Sequence, residues 1–235
     1  MEPVVLDPLP FSVDSAWLRD KLRLDHRPGL ADELGALLAQ AQQIARPRAA
    51  YRLSFIEDRG PDWVVVEGVR FSSRILSVNL QETQRVFAYA CTAGLELEDW
   101  GWAQPDILHQ YYVTAISEAA LYSARRALGV HLREQYAIEQ ASEMNPGSLA
   151  DWPLPEQAHL FRLLGDTEAM IGVQLLDTYL MRPVKTVSGL LFTTQDSYVN
   201  CRLCPREVCP NRRADYDPTL FERKYQAAGG NGRVP

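Results

Sequence analysis

No stretch of the 235 residues runs to about 18 consecutive apolar side chains, so no membrane-spanning helix is expected. Positive charge is not in excess either. The formal net charge is −6 and the pI is near 5.3. A nucleic-acid partner is therefore not expected, because phosphate neutralisation needs a basic face and the only basic cluster is local, from Arg202 to Arg213. The opening MEPVVLDPLPF lacks a basic region followed by an apolar one, so no secretory signal is expected and a cytoplasmic location is the default. No G-x-S-x-G, Walker or G-x-G-x-x-G pattern occurs, which leaves hydrolase, NTPase and Rossmann readings without support. The four histidines, His26, His109, His131 and His159, form no motif.

Cysteine is scarce but unevenly placed. Cys91 stands alone, while Cys201, Cys204 and Cys209 fall within nine positions as C-x2-C-x4-C. A secreted disulfide framework disperses its cysteines in even number, so this packing points to a metal site or to free or redox-paired thiols. Arg202, Arg206, Arg212 and Arg213 favour the thiolate, the form that ligates metal. Zinc wants a fourth ligand, for which a histidine, Asp215 or water could serve. An iron–sulfur cluster could leave one iron open, and a cluster is the favoured choice between the two.

With 46% hydrophobic residues the chain can bury a sizeable core. Residues 1–48 read as an N-terminal helical segment after an irregular or edge-strand start, with helices from Ser15 to Leu24 and Ala31 to Ile44. Tyr51–Ile56 and Trp63–Phe71 read as a hairpin, Leu76–Arg85 as a short helix and Val86–Cys91 as a strand. Gly94 permits a sharp turn into a helix at Leu95–Trp100. Pro105 and Asp106 open the longest helix, to about Gln135, whose Ala115, Ala119, Ala120 and Ser123 suit close packing on a sheet. Asn145-Pro146-Gly147-Ser148 forms a tight turn, and Asp151 is the expected N-cap of a helix carrying Leu154, Phe161 and Leu164. Ile171–Met181 and Lys185–Thr193 read as strands. The expected class is α+β, a twisted antiparallel sheet packed with helices. Its main unit spans residues 49–213, and residues 214–235 form a partly mobile tail.

Within Glu143–Phe192, Pro146-Gly147, then Asp151-Trp152-Pro153-Leu154, then IGV at 171–173 and KTVSG at 185–189 resemble the activation domain of cobalamin-dependent methionine synthase. They are more similar still to stand-alone proteins that resemble that domain. CTAGLELE at 91–98 and the cysteine segment extend the resemblance, which runs loosely from residue 15 to residue 213. At Glu143 and Ser148 the family carries Arg and Tyr.

The resemblance implies S-adenosylmethionine binding and a part in the reductive methylation of cob(II)alamin, with the cobalamin presented by a corrinoid protein or cobalamin-dependent methyltransferase. The turn residues Asn145, Pro146, Gly147 and Ser148 would offer amide N–H groups to the ligand carboxylate. Glu118 and Glu143 would take its ammonium, and Tyr198 or Trp152 would face the adenine. Ser188 and Gly189, small residues within a strand, would allow close approach of a ligand or partner. The alternative is a cysteine-ligated iron–sulfur or zinc protein that acts as an electron relay or docking module without S-adenosylmethionine. Whether the chain is itself an enzyme is left open.

Overall fold

A computed structural model describes residues 1–194, 198–209 and 211–226. The expected mobile end, 227–235, lies outside the described residues, as does Pro210. In chain order the elements begin with β1 (Val4–Leu6), α1 (Ser15–Lys21), α2 (Pro28–Ile44), β2 (Arg48–Arg59), β3 (Trp63–Val66) and β4 (Val69–Ser72). They continue with α3 (Arg74–Asn79), β5 (Arg85–Thr92), α4 (Leu95–Trp102), α5 (Ile107–Tyr136) and β6 (Ala141–Met144). The last are α6 (Gln157–Leu164), α7 (Thr167–Ile171), β7 (Gln174–Leu175), β8 (Met181–Arg182) and β9 (Thr186–Thr193).

The principal sheet is antiparallel, in the order β4-β3-β2-β5-β9-β6, with β1 also paired to β2. The α+β expectation therefore holds. Alternation along the central strand β5 sorts two cores. Val86, Ala88 and Ala90 face α3 and α6 with Val64, Phe71, Trp152 and Leu160. Phe87, Tyr89 and Cys91 face α5 with Ala124, Leu128 and Leu132. A third core joins helices alone: Leu18 of α1, Leu34 and Leu38 of α2, Leu97 of α4, and Tyr112, Ala115 and Ile116 of α5. The small residues of α5 thus let it press on the sheet with one side and on α2 and α4 with another. No described helix is long and apolar enough to cross a membrane.

Several boundaries differ from expectation, each for a local reason. The span Trp63–Phe71 is two strands, since Glu67 and Gly68 take φ of 45° and 73° and turn the chain back on itself. The helix expected over Leu76–Arg85 begins at Arg74 and ends at Asn79, because Ser73 caps it by accepting from the Leu76 amide. Asp151 caps that same helix rather than its own: its carboxylate accepts from Ser73 Oγ and from the amides of Arg74 and Ile75. Asp106, not Pro105, opens α5, its Oδ1 accepting from the Leu108 and His109 amides at 2.9 Å. Ile171–Met181 is not a strand. Asp166 caps α7, Gly172 ends it at φ 70°, and the chain then forms only a two-residue ladder, β7 on β8.

Candidate functional site

Along α5 the residues Gln110, Thr114, Glu118, Tyr122 and Arg125 recur at spacings of three and four, so they share one face. This face links the two places where chemistry-bearing side chains gather. One is the sheet edge at β6. The other is a cleft between α4, α5 and the segment Pro183–Lys185.

At the edge, Glu143 sits opposite Leu191 of β9, which turns its side chain toward α5 while Met144 points into the opposite core. The carboxylate is 14% exposed. It accepts from Tyr89 Oη, from Arg125 and, at 2.9 Å, from Asn145 Nδ2; Arg213 Nη1 lies 3.9 Å away. Burial opposes its ionisation, but Arg125, the Tyr89 and Asn145 hydrogen bonds and Arg213 outweigh that and hold it below the usual carboxylate range. Tyr89 is pushed up by burial and by Glu143 beside it. Asn145 Nδ2 also meets Tyr89 Oη and the Ser188 carbonyl, each at 2.9 Å.

Ser188 and Gly189 are brought to this network, with their small size taken up by the chain itself. A Cβ on Gly189 would lie 2.4 Å from the Met144 carbonyl oxygen and 2.6 Å from Asn145 Nδ2. The Ser188 hydroxyl donates to Gln157 Oε1 at 3.2 Å. The turn after β6 is likewise satisfied from within. Gly147 N donates to Trp152 O at 2.7 Å, Ser148 N to Asn145 O at 3.2 Å, and Trp152 N to Leu149 O at 3.2 Å. Leu154 packs 3.0 Å from the position of a Gly147 Cβ, and Pro146 and Trp152 are buried. Tyr198 is buried against the α3–α6 core.

Glu118 stands further along the α5 face and is less committed. Its Oε1 accepts from Lys21 Nζ at 2.7 Å and from Tyr122 Oη at 3.3 Å, and its Oε2 lies 3.9 Å from Lys185 Nζ. Burial opposes ionisation here too, and the two lysines and Tyr122 overcome it, so the carboxyl is held below its ordinary range. The motif at Lys185 marked the strand. Its approach to Glu118, 67 positions away in sequence, had no signal in the sequence.

The cleft beside this pair is a cavity of about 300 Å³. Leu97, Val113, Ile107 and Val184 give it apolar walls, and Trp102 and Tyr111, 72% and 56% exposed, stand at its mouth. Gln110, Thr114, Ser117, Glu98 and Lys185 supply its polar atoms. Nothing in the amino-acid pattern pointed to this cavity, because its lining comes from three separate stretches.

The cysteine segment folds over the other side of the α5 face. Tyr122 Oη donates to Asn211 Oδ1 at 3.0 Å, and Arg213 reaches Glu143. Cys201, Cys204 and Cys209 are partly exposed and unpaired. Among the described residues no group of three or more His, Cys, Asp or Glu is placed to hold a metal ion. The loop that was expected to grip zinc or a cluster is organised by Arg212. Its guanidinium donates to the carbonyls of Cys201 and Ala214 at 3.3 and 3.2 Å, and to those of Cys204 and Arg206. A cation so placed repels a second one, and this donor set does not fit a metal site. The Cys201 sulfur accepts from the Arg213 amide at 3.4 Å. Burial raises its pKa, but the amides of Arg213 and Ala214 and the Arg213 charge outweigh burial and bring the thiol below its ordinary range.

No family model and no curated protein matches the sequence. Among solved structures the chain is similar to one described as the crystal structure of the MetH reactivation domain bound to AdoHcy. The TM-score is 0.60 at 19% identity, over 84% of this chain and 81% of that one.

Proposed function

We propose that this chain is an activation-domain-like module that binds a nucleoside of the AdoHcy and S-adenosylmethionine kind and works beside a cobalamin-binding methyltransferase. The fold likeness carries the reading, since it spans most of both chains and its counterpart holds AdoHcy. The charge arrangement supports it. The amino-acid end of such a ligand is a zwitterion, and the α5 face offers a carboxylate, Glu118, between two ammonium groups, Lys21 and Lys185.

In this role the chain's own residues bind and orient the sulfonium, while the corrinoid is the substrate brought by the partner. The reaction breaks a carbon–sulfur bond and forms a carbon–cobalt bond, and an external one-electron donor supplies the electron for the reductive step. The chain contributes position: a polar pair to anchor the amino-acid end, leaving the methyl group turned outward.

Calorimetry of the chain with AdoHcy and with S-adenosylmethionine tests the reading. Saturable heat at a one-to-one ratio is expected for both. No heat with either ligand overturns it.

A further inference from the structure

We propose that the nucleoside sits in the cleft between α4 and α5 rather than on the Asn145–Trp152 turn, with its amino-acid end on the Glu118–Lys185 pair at the rim. This rests on the proposed AdoHcy-type binding and locates the ligand that it requires.

The turn has little left to give. The amides of Gly147, Ser148 and Trp152 all donate to carbonyls of their own loop, and Leu154 backs Gly147. Glu143, the carboxylate nearest the turn, is surrounded by Tyr89, Asn145 and Arg125. A ligand ammonium would have to displace Arg125 from a buried ion pair, which costs several kcal/mol (about 3–5) when one partner is left alone. Tyr198 and Trp152, the two aromatic rings proposed for the adenine, are 8% and 1% exposed and have no open face.

The cleft supplies what the turn lacks. Its volume of about 300 Å³ lies at the lower end of small-molecule sites. A purine is flat and largely apolar on its faces, and Leu97, Val113 and Val184 enclose such a shape while Trp102 and Tyr111 offer exposed rings for stacking. Polar edges of the base find the Gln110 amide and the Thr114 hydroxyl one turn apart on α5. Lys185 lines the cleft and its ammonium stands 3.9 Å from Glu118, too long for a committed hydrogen bond. A ligand carboxylate on Lys185 and a ligand ammonium on Glu118 satisfy both groups. The only tight bond to be exchanged is Lys21 to Glu118, between side chains that are 30% and 22% exposed.

The test is calorimetry of the full chain with AdoHcy, on the natural sequence and three variants. Thr114→Trp fills the cleft from an exposed position, Lys185→Met removes the rim cation, and Ser148→Trp blocks the turn instead. The first two should each weaken binding about tenfold or more, the scale of one lost charged or filling contact, while Ser148→Trp shifts Kd less than about twofold. Lys185→Met keeps the question open to test if Thr114→Trp fails to fold, as judged by its unfolding transition. If AdoHcy binds and only Ser148→Trp weakens it, or if neither cleft variant does, the placement is overturned and the module reading stands. If the natural sequence gives no heat with AdoHcy, the module reading itself fails.

Discussion

Glu143 and Glu118 both face α5, and each has the charge to attract a ligand ammonium, yet they are held in opposite ways. Glu143 lies on a sheet strand under Arg125, with a tyrosine hydroxyl and an asparagine amide completing its shell. Glu118 lies on the helix, shared between one close lysine and one distant one. The difference teaches that a depressed carboxyl is not by itself a binding site, since both groups show it. What separates them is whether the partners that depress it can be exchanged.

That contrast can be broken most sharply at Glu143. Glu143→Ala strands the Arg125 guanidinium between helix and sheet, and is expected to cost about 3–5 kcal/mol of stability, read from denaturant unfolding. The same carboxylate governs the acid limb. Its folded pKa lies below the unfolded value of about 4.3, so its contribution is complete above that value and is lost as pH falls through the folded one. Glu143→Gln should therefore flatten the dependence of unfolding free energy on pH below about pH 4.3. Unfolding series at several acidic pH values would reveal an unchanged slope if Glu143 were not the group responsible.

Gly189→Ala addresses the neighbouring strand. Its methyl group meets the Met144 carbonyl and the Asn145 amide, and a loss of about 1–3 kcal/mol is expected from the forced shift. A neutral result would mean that the edge strand yields easily and that the network is looser than its distances indicate. The smallest stability change belongs to Glu118→Gln. Its lysine pairs are partly exposed, so the loss should stay within about 1 kcal/mol. Affinity for AdoHcy should nevertheless fall about tenfold, as expected for a lost charge-assisted contact. Equal effects of Glu118→Gln and Glu143→Gln on both stability and binding would erase the contrast.

How much could be read in the sequence depends on how far apart the interacting residues lie. Helix α5 was legible because its start signal, Asp106, and its small-residue face are local. The hairpin from β2 to β3 was legible for the same reason. Strand β6 was not, because Ala-Ser-Glu-Met carries a charge on the face that the sheet buries, and only Arg125, 18 positions earlier, makes that tolerable. Asp151 looked like the cap of the next helix because of what stands beside it, and its true partners lie 76 to 78 positions back. The strand expected at Ile171–Met181 had the right composition, but Gly172 diverts it before any ladder forms with the main sheet. At the site, Glu118, Glu143 and Asn145 were picked out as individual residues. The sequence could not say that one glutamate was exchangeable and the other sealed, because that depends on lysines and an arginine delivered by other elements. The cysteine cluster shows the converse: spacing alone matched a ligand set, and Arg212 from the same loop took the centre.

Strand β6 ends the sheet, and it is only four residues long with an ionised group turned into the layer beneath it. A foreign strand that tried to extend the ladder there would find few free amides and would have to keep Glu143 and its arginine in register beneath the new pairing. Among the sheet's two outer strands, this one is protected against growth into aggregates by the residue that looked most like a ligand contact. Neutralising it would therefore be felt first as lost solubility on storage at high concentration, before any ligand is added.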